Sequence, residues 1–220
     1  MFARHLAVFC LLFAGSSPAW AQESGSPDPE LVVYLGTGSG QSAAPLKYMR
    51  QELTSLMHQA GFSLVMRDLS DQDNAEAEFL SVVQLNGHCS MPAGYATADD
   101  LAPHNKSLAT TAITDGRVLP FSTVNCAALT RVLQPALMKE PGAQRDLLYG
   151  RAMARVIAHE LYHALARTTC HAHSGIARSA FSREDLLGEL ACQRVSGAVT
   201  TPRPGNPIAG PSAAQVRTRN

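Results

Sequence analysis

Hydrophobic residues along this chain change their spacing several times, and each change marks an element. A continuous apolar run at 31–35, Leu-Val-Val-Tyr-Leu, predicts a strand in the centre of a sheet. The glycine-rich stretch 36–40 that follows has neither the Gly-Lys-Ser/Thr ending of a phosphate loop nor G-x-G-x-x-G spacing, and reads as a flexible turn. Over 46–60 the spacing becomes helical, with Leu46, Met49, Leu53, Leu56 and Met57 on one stripe and Gly61 as the stop. Residues 62–67 and 79–85 predict two further strands. An acidic loop at 68–74 follows the first without the spacing of a calcium loop, and Asn86-Gly87 ends the second.

After a long surface loop at 92–106, the segments 108–113 and 117–125 flank Thr114-Asp115-Gly116 and read as a hairpin. Pro120 cannot donate to a ladder, which assigns the second arm to the sheet edge. An extended peptide could add to such an edge as one more strand. A short helix over 126–137 comes next, and Pro141-Gly142 interrupts the chain before a long helix begins near Ala143. No Gly or Pro occurs between Arg151 and Thr168. A last helix starts within 181–187, with Ser182 as its N-cap and Asp185 at the third position. The chain thus combines strands with helices.

The two ends read differently. Arg4 and His5 precede an apolar stretch at 6–13, and Ala19-Trp20-Ala21 is a small-x-small cleavage site. That is the pattern of a secretory signal peptide over 1–21, and it places the mature protein in the periplasm or outside the cell. The apolar stretch is too short to span a bilayer, and no later one is longer, so no membrane span is expected. Residues 22–30 read as a polar linker, 31–198 as one domain, and 199–220 as a disordered tail. Lys plus Arg and Asp plus Glu each number 18, without a basic block, which argues against a nucleic-acid partner.

Of five cysteines, Cys10 leaves with the signal peptide. The remaining four suit two disulfides in an oxidising compartment. Spacing alone leaves three possible connectivities, of which Cys89 with Cys126 and Cys170 with Cys192 is favoured because each pair would staple neighbouring elements. His88-Cys89-Ser90-Met91 has soft ligands suited to copper, but reads more simply as a disulfide cysteine beside a surface histidine.

Chemistry concentrates in His159-Glu160-Leu161-Tyr162-His163. On a helix, i and i+4 stack on one face, so His159 and His163 present two imidazoles to a single metal ion. Glu160 lies about 100° round the helix, placed to take a proton from a water on that ion rather than to ligate it. Val156, Ile157, Ala158, Leu161, Tyr162, Ala164 and Leu165 put no further charge around the motif, as a helix buried beneath a cleft requires. These are the parts of a zinc site that hydrolyses a peptide or protein substrate.

A catalytic zinc takes three protein ligands. His171, eight residues beyond His163, leaves room for another helical turn and a reversal, and is the favoured third. His173 is an alternative from the same turn, and Glu184 or Glu189 would serve from the following helix. Tyr149 and His173 are candidate donors to a developing oxyanion, with Tyr162 a weaker one.

From Val156 to Leu165 the chain resembles the zincin metallopeptidase superfamily. The run 114–121, Gly150-Arg151-Ala152 and His-Glu-Leu-Tyr-His together look like a group of small secreted bacterial proteins. The first resemblance implies an α+β fold, a zincin-like mixed sheet over a backing helix and an HExxH active-site helix, with the cleft between an edge strand and the metal helix. The second implies a bacterial, exported setting. The metzincin return differs, because Ala166 and Thr169 stand where that pattern has Gly and His.

Two other functions would use the same residues. One is a zinc amidase or peptidase acting on cell-wall peptides. The other is a non-catalytic module that takes up copper or zinc with His88, His171 and His173. Glu160 separates the second from an enzyme, since a metal carrier needs no base.

Overall fold

The computed structural model describes residues 28–38, 40–71, 77–92 and 107–188. The expected signal peptide, most of the linker, most of the 92–106 loop, the tail, Glu189 and Cys192 lie outside them. The elements run β1 Glu30–Gly36, α1 Ala43–Gln59, β2 Ser63–Asp68, β3 Phe79–Asn86, β4 Ala109–Thr114, β5 Arg117–Asn125, α2 Cys126–Leu137, α3 Gly142–Ala166, a 3-10 turn Gly175–Ala177 and α4 Arg183–Leu187. The fold is mixed α+β with a five-stranded sheet in the order β2-β1-β3-β5-β4, parallel except for β4.

β1 is buried along almost its whole length because it has a strand on each side, and its run of Leu31, Val32, Val33, Tyr34 and Leu35 follows from that position. Leu31, Val33 and Leu35 join Val83 and Leu85 of β3, Val124 of β5, and the stripes Met49, Leu53, Leu56 of α1 and Met153, Ile157, Leu161 of α3 in one core. Helix α1 follows β1 by the crossover that a parallel β1–β2 pair demands.

One expectation is overturned. Pro120 does not make β5 an edge strand; β5 is internal, paired with β3 on one side and β4 on the other, and β4 is the edge. The ladder accommodates the proline by going round it. Pairing of β5 with β3 begins at Phe121, and the β4 register jumps from Thr111↔Ser122 to Ile113↔Val118, so neither ladder pairs Pro120. Its carbonyl is still used, accepting a hydrogen bond from Ser81 Oγ at 3.2 Å.

Helices α1 and α3 approach closely at Gly150. A Cβ there would lie 2.5 Å from Pro45 O, 2.7 Å from Tyr48 Cβ and 2.9 Å from Met49 N. Backbone atoms cannot swing aside, so Gly150→Ala should destabilise the fold by about 1–3 kcal/mol, outweighing alanine's helix preference of under about 1 kcal/mol. Chemical denaturation would measure it; an alanine variant as stable as wild type would mean the helices separate freely.

Cys89 and Cys126 are buried and joined in a disulfide that ties the exit of β3 to the start of α2, as expected. A disulfide of this kind fits an oxidising compartment. Cys170 is exposed and joins no disulfide among the described residues, outside which its expected partner Cys192 lies. No helix among the described residues is long and apolar enough to cross a membrane.

Candidate metal centre

The second half of α3 is enclosed on nearly every side. Met153, Ala154, Arg155, Val156, Ile157, Ala158 and Leu161 are all buried. Only a helix with so little polar surface can run beneath a cleft. Arg155 crosses to α1 and α4, with Nη2 3.3 Å from Glu52 Oε1 and Nη1 donating to the carbonyls of Asp185 and Leu186 at 3.0 Å each. That fixes α4, whose start is closed by the expected reciprocal hydrogen bonds of Ser182 and Asp185.

His159 is half-buried and His163 buried, one helical turn apart, with their Nε2 atoms 3.0 Å from each other. The chain then reverses without a glycine. Arg167 adopts the left-handed conformation at φ 48°, and the Thr168 N–H bonds back to His163 O at 3.2 Å. The reversal brings in His171, whose Nε2 stands 3.2 Å from that of His163. The three rings form a group whose ligand atoms all lie within 4.8 Å of one another and which can hold a metal ion.

The other side of two rings is fixed. His159 Nδ1–H donates to Ile176 O at 2.8 Å, and His163 Nδ1–H donates to Thr168 O at 2.7 Å. A carbonyl only accepts, so each Nδ1 carries the proton and each Nε2 of the neutral ring turns a lone pair inward. Lone pairs facing across about 3 Å repel unless a cation or proton lies between them. Zinc–nitrogen bonds of about 2.0–2.1 Å in tetrahedral geometry would put ligand nitrogens about 3.3 Å apart, close to the 3.0 and 3.2 Å of the two pairs that include His163. Burial holds the His159 imidazole below its usual range, with the neighbouring His163 and His171 acting in the same direction and the Ile176 hydrogen bond opposing them. A neutral ring is the form that ligates.

Glu160 is buried beside this group but does not belong to it. Its Oε2 accepts a hydrogen bond from Thr111 Oγ1 of β4 at 2.6 Å. Burial pushes its carboxyl up from the usual range, and the Thr111 hydrogen bond and the His163 ring take back part of that shift. A cleft of about 600 Å³ opens over these residues. One wall comes from Thr111, Ile113 and Val118 of the hairpin, the floor from α3, and the far wall includes His171 and Phe181. Phe181 meets the His159 ring edge-on at 5.4 Å.

No family model, curated protein or solved structure matches the chain.

Of the residues singled out by sequence, His159, His163, His171 and Glu160 come together here. His173 is exposed and lies outside both the group and the cleft lining. Glu184 is exposed on α4 and also outside the group, and Glu189 is not among the described residues. Tyr149 cannot meet a substrate: it is fully buried, 3.0 Å from Thr130 Oγ1, and its hydroxyl donates to Cys126 O at 3.3 Å. Tyr162 packs beside His163 with ring centroids 5.4 Å apart and does not line the cleft. His88 sits by Gly40, so His88, His171 and His173 do not assemble into a group.

Thr111, Thr168 and Ile176 were not singled out. The two carbonyls carry no side-chain signature, and Thr111 is an ordinary strand residue whose partner lies 49 residues away.

Proposed function

We propose that this protein is an exported zinc-dependent peptidase of zincin type, with zinc held by His159, His163 and His171. The observation that carries the reading is the convergence of three imidazole Nε2 atoms, two of them aimed by Nδ1–H bonds to backbone carbonyls, beside a buried carboxylate outside the group. A store or carrier for metal needs the first part only. The carboxylate is the feature of a hydrolase.

When bound, zinc would make a coordinated water acidic enough to lose its proton near neutral pH and would polarise the scissile carbonyl. Glu160 takes the proton from the attacking water and returns it to the leaving nitrogen. The edge strand β4 forms one wall of the cleft, and an extended substrate laid along it would hydrogen-bond as a further strand. Apart from Glu160 and the imidazoles, the lining residues are uncharged, which suits a peptide backbone. The expected signal peptide and the disulfide both favour a compartment outside the cytoplasm.

The test is cleavage of a mixed peptide library by the purified mature protein. Cleavage should stop on treatment with a strong chelator and return on adding zinc. Cleavage that persists after the metal is removed would rule the reading out.

A further inference from the structure

We infer that Thr111 is a positioning residue for Glu160, fixing one carboxylate oxygen so that the other is turned to the attacking water; this rests on the peptidase reading of the site. The Thr111 hydroxyl is 2.6 Å from Glu160 Oε2 and 3.0 Å from Ser122 Oγ. A carboxylate has no proton to give, so the single Thr111 proton goes to Glu160 and Ser122 must donate to Thr111. The result is a directed chain from buried Ser122 through Thr111 to Glu160.

The two hydroxyls are brought together by strand register, because Thr111 and Ser122 are direct cross-strand partners on β4 and β5. Register also explains the placement against α3. The irregularity in the β4–β5 ladder begins only after Thr111, so the pairing is still regular where the chain meets Glu160. A Thr–Ser pair that served the sheet alone would need no third partner. The Thr111 hydroxyl also lies 3.4 Å from the Glu160 backbone carbonyl, and the shortest of its three contacts is the one to the carboxylate. Thr111 thereby connects the edge strand on which the substrate would lie to the carboxylate that takes the water's proton, and among the described residues no hydrogen bond reaches Oε1.

The experiment compares wild type, Thr111→Val and Thr111→Ser in the full mature chain. Valine keeps the branched shape and removes the hydroxyl, whereas serine keeps the hydroxyl. In metal-free protein carrying ¹³C-labelled glutamate, the Glu160 side-chain carboxyl resonance, assigned by its loss in Glu160→Gln, should move in Thr111→Val and return in Thr111→Ser. In the zinc-loaded protein, kcat should fall on the order of 10- to 100-fold in the valine variant, the scale of one hydrogen bond to a charged group. KM and zinc content should stay near wild type, and serine should restore turnover. An unmoved resonance, or undiminished kcat in Thr111→Val, overturns the role of Thr111 and leaves the peptidase reading intact. A resonance that moves as expected in a protein that cleaves no peptide overturns the peptidase reading and leaves the hydrogen bond to Glu160 standing.

Discussion

Replacing Glu160 by Gln should lower kcat for peptide hydrolysis by on the order of 10²- to 10⁴-fold, the range that a positioned general base contributes, while zinc content remains that of wild type. The two halves of this result follow from one placement. Glu160 lies beside the three-histidine group without joining it, so its loss removes no ligand. Glutamine has nearly the same shape and its amide oxygen can still accept the Thr111 hydroxyl, but it cannot take a proton from water. Folding should not suffer, because a buried carboxylate is exchanged for a neutral group and its desolvation cost disappears. Steady-state kinetics with elemental analysis would check both halves. Turnover equal to wild type in a zinc-replete Glu160→Gln protein would remove Glu160 from the chemistry and with it the main argument for an enzyme.

His163→Ala should have the larger effect on the metal. His163 is the middle of the three rings, 3.0 Å from His159 Nε2 and 3.2 Å from His171 Nε2, and is the most buried of them. Loss of a residue that merely orients a ligand weakens metal binding about 10- to 100-fold, so loss of a ligand should exceed that range. The consequence can be read without a substrate. Zinc at a hundred times its dissociation constant stabilises a folded protein by about 2.7 kcal/mol, which raises the wild-type melting temperature. That rise should vanish in His163→Ala and persist in His173→Ala, whose side chain lies outside the group. Far-UV circular dichroism of the metal-free proteins would establish that the variant is folded.

What could be read from the sequence follows the range of the interactions involved. His159 and His163 stack because they are four apart on one helix, a local rule that needs no tertiary knowledge. His171 was reachable by reasoning about chain length, although its route was not: the reversal uses Arg167 in the left-handed conformation, which glycine usually supplies and arginine does not signal. The break at Pro141 before α3 and the Ser182–Asp185 cap of α4 fall where their residues suggest, since these signals are also local.

Pro120 misled for a physical reason. Its missing N–H excludes it from a regular ladder, but a register shift lets an internal strand carry it. Tyr149 misled differently: its position in α3 was legible, but its enclosure by α2 and its hydrogen bonds to Thr130 and Cys126 depend on packing between helices. Thr111 had no local signal, because its meaning arises when β4 is laid against α3 across 49 residues of chain.

The central claim is that His159, His163 and His171 together hold one zinc ion. Its most direct measurement is elemental analysis of purified wild type and His171→Ala, each saturated with zinc and then freed of unbound metal. The geometry predicts one zinc per chain in wild type and little in the variant. Absence of zinc from wild type, or equal zinc in both proteins, would contradict it.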